Sequence, residues 1–305
     1  MRRLTVAVIL ALCAAAPAGA AEKLKIGFVN TFSGPGGILG GQYKDAFELA
    51  LEQRGGKLGG LPTEVIYVDD QWKPDIGRAA TEKLIESDKV DLLTGFNFSN
   101  ILLAAIEPAK SGNTILISMN AGPSPLAGAR CSRLFFTVGH ENEGAAEAMG
   151  GLLQRKGIPN VYLIAPNYQA GKDMLTGFKR AYKGRIVQEV YTQPTQTDFG
   201  AELTQIRGAA PAAVFTFMPG GAGISFVKQW VQAGMRGELP LYSVYTVDHS
   251  TLKAMGELYL TWPGFTGPGS APWGLQGMAA RSVRVPRRGS ARPLCRRSRG
   301  CRTSI

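Results

Sequence analysis

The sequence has 305 residues, of which 34 are Lys or Arg, 23 are Asp or Glu and 2 are His. With 45% hydrophobic and 19% charged residues, it is long enough for two globular domains, which excludes a disordered chain, a coiled coil and a collagen-like fibre. The His residues and the 4 Cys show no metal-ligand spacing, so we expect neither a metal site nor a cofactor.

The net charge of +11 is concentrated at the chain ends. Nine arginines follow Gly274, whereas the last acidic residue is Glu257. Residues 21–274 contain as many basic as acidic groups, so this part of the protein lacks the basic surface that binds nucleic acid.

The Arg-rich segment 275–305 has no lysine, no acid and no helix or strand period. One interpretation is a basic arm that binds phosphate or anionic lipid. The other is a shifted reading frame in GC-rich DNA, which the absence of lysine favours. Both interpretations stay open at this stage.

The N-terminus has the three parts of a secretory signal. Arg2 and Arg3 precede an apolar run from Leu4 to Ala16, and Ala18-Gly19-Ala20 is a small-residue cleavage site. The run is too short for a membrane span. We therefore predict a cleavable signal over residues 1–20 and an exported mature chain.

From residue 23 onward, short apolar strands alternate with helical periods. Asp75 is predicted to cap the second helix, and the glycines between Gly34 and Gly41 are predicted to form a loop. The order βαβαβαβ is typical of a parallel sheet covered on both faces. The predicted strands are 23–30, 63–69, 90–94 and 114–118, and the predicted helices are 43–53, 75–87 and 100–110.

A second alternating unit follows a break near 136–141. The sequence thus predicts an α/β fold of two doubly wound lobes, 21–138 and 139–249, and a segment 250–274 that starts a return to the first lobe. Ligands of such sheets bind beyond the carboxyl ends of the strands. The predicted helices are 143–155, 171–182, 199–207 and 224–233, and the predicted strands are 161–165, 186–191, 213–217 and 241–244.

Several short segments, in this order and spacing, resemble a known family. They are KIGFVNTFSGPGG, GGKLGGLPTEVIYVDD, VDLLTGFNFSN, ILISMNAGPSPL and APNYQAGKDM, within residues 23–247. The chain resembles the substrate-binding proteins of branched-chain amino-acid (Leu/Ile/Val-binding) ABC importers, which have the type I periplasmic fold. The resemblance implies a periplasmic monomer, not an enzyme, that closes two lobes on a small ligand and delivers it to an inner-membrane permease.

The resemblance also implies site residues in the first lobe. Ser99 matches a serine that binds the ligand carboxylate, although a plain helix N-cap is the alternative. Asn120 and Gly122 follow the strand 114–118, where the family places backbone and hydroxyl contacts. An ordinary turn is the alternative for both.

In the second lobe, Tyr168 matches a tyrosine that covers the ligand, with a surface-loop tyrosine as the alternative. Tyr245 stands where amino-acid binders have an acid, and Asp248 lies three residues on. Met218 belongs to a segment, Met-Pro-Gly-Gly, that replaces a tyrosine-bearing loop. Burying a ligand ammonium without a paired carboxylate is costly.

These departures favour a ligand with a carboxylate and an aromatic ring over an α-amino acid. Phe96 and Phe98 are expected either to face that ring or to belong to the core. A branched-chain amino acid or amide remains the alternative ligand, and a ligand-sensing receptor without a transport role remains the alternative function. Because the family pattern is lost after Ser250, we also expect the chain to lack first-lobe elements and to be less stable.

Overall fold

The computed structural model describes residues 23–247 and 251–256. The predicted signal, Asp248, most of the predicted return segment 250–274 and the Arg-rich segment 275–305 lie outside the described residues. None of the described helices is long and apolar enough to cross a bilayer.

The first lobe is built on a six-stranded sheet in the order β2-β3-β1-β4-β5-β6. All neighbours are parallel except β2 and β3, which form a hairpin. Its strands are β1 (Leu24–Asn30), β2 (Lys57–Leu58), β3 (Leu61–Asp69), β4 (Leu92–Gly95), β5 (Ile115–Ser118) and β6 (Phe135–Thr137). Its helices are α1 (Gly37–Glu52), α2 (Pro74–Glu86), α3 (Ser99–Ser111) and the single turn α4 (Ser124–Ala127).

The second lobe has a four-stranded parallel sheet in the order β10-β9-β7-β8. Its strands are β7 (Asn160–Pro166), β8 (Arg185–Thr192), β9 (Ala213–Thr216) and β10 (Leu241–Ser243). Its helices are α5 (Glu143–Arg155), α6 (Gln169–Ala181), α7 (Gly200–Ala209), α8 (Gly221–Gln232) and α9 (Leu252–Met255).

The central strand β7 is buried on both faces, as its continuous apolar sequence predicts. On one face, Leu163 joins the core that contains Phe178, and on the other, Ile164 joins the core that contains Trp230. The two doubly wound sheets confirm the predicted fold class. Met255 of α9 also packs in the second core, so the described start of the predicted return segment still lies against the second lobe.

The glycine-rich segment is not the predicted loop. Gly34–Gly36 forms a 3-10 turn, and α1 begins at Gly37. A Cβ at Gly40 would lie 2.8 Å from the carbonyl carbon of Thr31 and closer still to its oxygen. Glycine is needed here because the helix packs directly on backbone, and this contact outweighs the low helix propensity of glycine.

The predicted cap of α2 is also wrong. Lys73 occupies the N-cap position, Pro74 begins the helix and Asp75 lies in its first turn. A proline is favoured at the first helical position because its missing N–H would have no partner there. The short elements β2, β6 and α4 were not predicted, because they contain too few residues to show a period.

Candidate ligand-binding site

A cavity of about 310 Å³ lies between the lobes, at the carboxyl ends of their strands. This volume is at the lower end of the range for small-molecule sites. Both lobes and the segment that joins β6 to α5 contribute residues. The lining residues are Leu39, Tyr43, Asn97, Phe98, Ser99, Met119, Asn120, Ala121, Gly139, His140, Glu141, Asn142, Tyr168, Ala170, Met174, Phe217, Pro219 and Tyr245.

One side of the cavity is a continuous aromatic wall. The ring of Phe98 stacks on Trp72 with centroids 3.7 Å apart, and Tyr168 meets both rings edge-on at 5.8 to 6.1 Å. Phe217 connects Tyr168 to Tyr245 at 6.3 and 6.4 Å. Offset and edge-to-face pairs of this kind hold rings in fixed orientations.

Three aromatic residues around the cleft adopt left-handed backbone conformations that are uncommon for such side chains. The φ angles are 59° at Trp72, 57° at Phe96 and 55° at Tyr245. Phe96 is buried in the first-lobe core, whereas Phe98 lines the cavity. Strained backbone that persists at a cleft marks a place where tertiary contacts dictate side-chain direction.

The polar side of the cavity is formed where α3 begins, directly after Phe98 of the aromatic wall. Ser99 is the first residue of α3 and is 2% exposed. The first N–H groups of a helix have no partner within it, and the helix dipole adds a partial positive charge. This end of the cavity is therefore suited to hold an anionic group without a cationic side chain.

Asn97 adds a second donor to the polar side. Its Oδ1 accepts a hydrogen bond from Nδ2 of Asn120 at 3.1 Å, and its backbone N–H donates to Oδ1 of Asn30. Its own Nδ2 is buried without a partner. Because buried amide N–H groups are normally hydrogen-bonded, this nitrogen is an unsatisfied donor, and a ligand oxygen would reach it once the side chain turns toward the cavity.

The two tyrosines that line the cavity from the second lobe differ in burial. Burial, and to a lesser extent the charge of Asp173, raises the pKa of Tyr168. Burial also raises the pKa of Tyr245, although its side chain is 44% exposed at the rim. Both hydroxyl groups therefore stay protonated at neutral pH and can donate hydrogen bonds.

The segment between β6 and α5 contributes Glu141, the only carboxylate among the described lining residues. Its Oε1 accepts from the hydroxyl of Ser124 at 2.7 Å, and its Oε2 accepts from the backbone N–H of Glu143 at 3.1 Å. Both oxygens are thus engaged with neighbouring protein groups.

Four of the six sequence-predicted site residues line the cavity: Ser99, Asn120, Tyr168 and Tyr245. Gly122 and Met218 lie outside its lining. Gly122 packs against the segment between β6 and α5, where a Cβ would lie 3.1 Å from the carbonyl carbon of His140. Met218 is fully buried in the second-lobe core and donates its N–H to Thr246.

Sequence reasoning missed Asn97, Phe217, Trp72 and Asn142. Asn97 and Phe217 come just after β4 and β9, so the strand-end rule could have found them. Trp72 also follows a strand, three residues after the end of β3, so the same rule covers it. Asn142 gave no comparable signal, since its role depends on contacts with residues distant in sequence. No group of His, Cys, Asp or Glu suited to a metal ion occurs in residues 23–247 and 251–256.

The lobes also touch at the edge of the cleft. Pro35 of the 3-10 turn lies against Gly220 and Gly221 at the start of α8. A Cβ at either glycine would be 3.0 to 3.1 Å from the carbonyl oxygen of Pro35. Gly220 has a φ of 66°, a conformation that favours glycine. The two glycine-containing turns therefore allow a close approach of the lobes.

A family model described as periplasmic binding protein matches residues 23–284 of the chain. A Leu/Ile/Val-binding protein homolog 6 from Brucella melitensis is 26% identical over 266 residues, which cover 84% of this chain and 67% of that relative.

Two solved structures are similar at 28% identity. A solute-binding protein of an ABC transporter from R. palustris, in complex with benzoate, has a TM-score of 0.74 over 77% of this chain. A solute-binding protein from Rhodopseudomonas palustris BisB5, in complex with 3,4-dihydroxybenzoic acid, has a TM-score of 0.73 over the same share. The chain spans 66% of the length of each of these two proteins.

Proposed function

The chain belongs to the type I periplasmic binding proteins of the branched-chain amino-acid type, and from this premise we propose that it binds an aromatic carboxylate between its lobes. The observation that carries the proposal is the pairing of a helix N-terminus with an aromatic wall in one cavity. A benzoate-type acid has the same two parts, an anionic group and a flat apolar ring.

The carboxylate end is assigned to Ser99, Asn97 and the first turn of α3. The Ser99 hydroxyl, the unpartnered Nδ2 of Asn97 and the free helix N–H groups are all donors. Hydrogen bonds to a charged partner contribute about 1.5–3 kcal/mol each. Two such bonds and the burial of one ring are enough for roughly micromolar affinity.

The ring of the ligand is assigned to the wall of Phe98, Tyr168 and Phe217. Trp72 stacks behind Phe98 and keeps its ring in place. Tyr168 and Tyr245 offer hydroxyl donors on the second-lobe side, where a ring substituent with an oxygen would find a partner. The two similar proteins that hold benzoate and 3,4-dihydroxybenzoic acid support this ligand class.

A branched-chain amino acid is the second candidate, and Glu141 is the observation that favours it. A carboxylate in the lining is the group that a ligand ammonium requires. Both oxygens of Glu141 already accept hydrogen bonds from Ser124 and Glu143, which makes this residue a weaker partner than an unengaged acid. The aromatic acid is therefore the better-supported ligand.

Titration calorimetry with benzoate and with leucine on the purified chain tests the ligand class. We expect benzoate to bind, and Ser99→Ala to weaken its binding about 10- to 150-fold through the loss of one charge-assisted hydrogen bond. Ser111→Ala, at the exposed far end of the same helix, is the matched control and should bind like the wild type. Binding of leucine without binding of benzoate would refute the aromatic assignment.

We further propose that the chain acts in the periplasm as the binding component of an ABC importer and delivers the ligand to a membrane permease. The family and the transporter roles of the similar proteins support this role over that of an enzyme. Uptake of labelled benzoate by cells with and without the gene tests it. Unchanged uptake, despite benzoate binding in vitro, would favour a ligand-sensing receptor instead.

A further inference from the structure

Asn142 lies between the two lobes, where it lines the cavity next to Ser99. It is 8% exposed, and its Nδ2 donates two hydrogen bonds, to Oγ of Ser99 at 3.1 Å and to Oδ2 of Asp173 at 2.8 Å. Its Oδ1 accepts from the backbone N–H of Gly122 at 3.4 Å. Every part of the amide therefore has a partner.

Asp173 determines which way this amide faces. Its carboxylate accepts from Nδ2 of Asn142, from the backbone N–H of Ser124 at 3.1 Å and from Nε2 of Gln169 at 2.7 Å. A carboxylate surrounded by donors only accepts, so the reversed amide would set its oxygen against the negative charge. The NH₂ group is thereby fixed toward Asp173, and its second N–H is fixed toward Ser99.

This arrangement decides whether the Ser99 hydroxyl donates or accepts a hydrogen bond in the cavity. A serine hydroxyl has one proton and two lone pairs. Because its oxygen accepts from Asn142, its proton is not used in that bond and remains for a ligand. In the cavity, Ser99 is then a donor, which is the polarity that a carboxylate needs.

We infer that Asn142, oriented by Asp173, is a positioning residue that keeps Ser99 a donor and makes the site prefer a carboxylate over the neutral amide of the same ligand. The inference rests on the proposed function. Ser99 belongs to the first lobe, Asp173 to α6 of the second lobe, and Asn142 to the segment between them. The anchor for the ligand is therefore held in place from the opposite lobe.

Asn142→Asp tests the inference with almost no change in shape. An acceptor at position 142 turns the Ser99 proton away from the cavity, so the ratio of benzoate to benzamide affinity in calorimetry should fall at least tenfold more than it does in a Ser99→Ala background, where only the repulsion between the new carboxylate and benzoate remains. General loosening of the site would weaken both ligands alike and leave the ratio unchanged, and that result would overturn the inference.

A second variant covers the case in which the new carboxylate, placed beside that of Asp173, prevents folding. Asn142→Ala should weaken benzoate in the wild-type background and have no further effect in a Ser99→Ala background. Equal losses in both backgrounds would overturn the inference. Ser111→Ala, at the exposed far end of α3, touches none of these groups, and it should leave the benzoate-to-benzamide ratio unchanged.

The wild-type measurements separate this inference from the proposed function. If the chain binds leucine rather than benzoate, the aromatic assignment fails, and the same variants tested with leucine and leucinamide still examine Asn142. If it binds neither, a double-mutant cycle of Ser99→Ala and Asn142→Ala on the free energy of unfolding replaces them. Additive effects in that cycle would contradict the hydrogen bond on which the inference depends.

Discussion

Two neighbouring glycines in α1 should respond in opposite directions to the same substitution. A Cβ at Gly40 would lie 2.8 Å from the carbonyl carbon of Thr31, whereas a Cβ at Gly41 would have no neighbour within 4 Å. The obstacle at Gly40 is backbone, so no side-chain rotation can relieve it. Gly40→Ala must therefore displace α1 from the end of β1, and Gly41→Ala need not move anything.

The expected magnitudes follow from two opposing effects. Alanine in place of glycine stabilises a helix interior by about 1 kcal/mol, and overpacking against a rigid neighbour costs roughly 3 kcal/mol. Gly41→Ala should therefore raise the midpoint of thermal unfolding by about 2–4 °C, and Gly40→Ala should lower it by about 4–8 °C. Circular dichroism during heating measures both.

The displacement should also reach the ligand site, because Leu39 and Tyr43 of α1 line the cavity. We expect Gly40→Ala to weaken benzoate binding in calorimetry and Gly41→Ala to leave it unchanged. A Gly40→Ala protein as stable as Gly41→Ala would refute the steric reasoning. Lower stability with full benzoate affinity would show that α1 shifts without moving its cavity residues.

Three further predictions concern the aromatic wall, the contact between the lobes and a buried acid. Trp72→Leu removes the ring that stacks on Phe98 at 3.7 Å, a pair that contributes about 0.5–1.5 kcal/mol. The affinity for benzoate in calorimetry should fall about 2- to 12-fold, and full affinity would contradict a supporting role. Gly221→Ala places a Cβ 3.1 Å from the carbonyl oxygen of Pro35. It should weaken benzoate binding because it opposes closure of the lobes, and the melting temperature without ligand should stay unchanged. A lower melting temperature would indicate a structural role instead. Burial raises the pKa of Asp70 from 3.8 to about 6, so the folded protein holds this proton more tightly than the unfolded chain does, and stability should fall as the pH rises from about 4 to about 6. Asp70→Asn should remove that loss, worth about 3 kcal/mol, in urea unfolding at each pH, and an unchanged slope would show that Asp70 does not cause it.

The sequence was sufficient to predict the alternation of strands and helices and the two lobes built on parallel sheets. The apolar run of β7 and the helical period of α5 are local patterns, and α5 was predicted with its exact bounds, 143–155. Burial on both faces follows directly from a strand that contains no polar alternation. The rule that ligands bind beyond strand ends pointed to Ser99 and Tyr168, which both line the cavity.

Local patterns failed where packing overrides them. Glycine is a poor helix former, so the segment around Gly40 was predicted as a loop, yet the contact with Thr31 makes glycine the residue that allows the helix. Gly122 and Met218 follow strands as ligand-binding residues do, but one packs on the segment between β6 and α5 and the other on the second core. Position after a strand does not determine which way a residue faces.

The pattern of apolar and polar residues in the sequence thus determined which segments form the sheets and which strand ends lie at the cavity, because burial and period depend on residues that are neighbours in the chain. The tertiary structure decided which side chains meet. Asn142 is 43 residues from Ser99 and 31 from Asp173, and its amide acquires a fixed direction only when both lobes are in place. A hydrogen bond depends on distance and angle between two groups, and the spacing of those groups along the chain does not determine either.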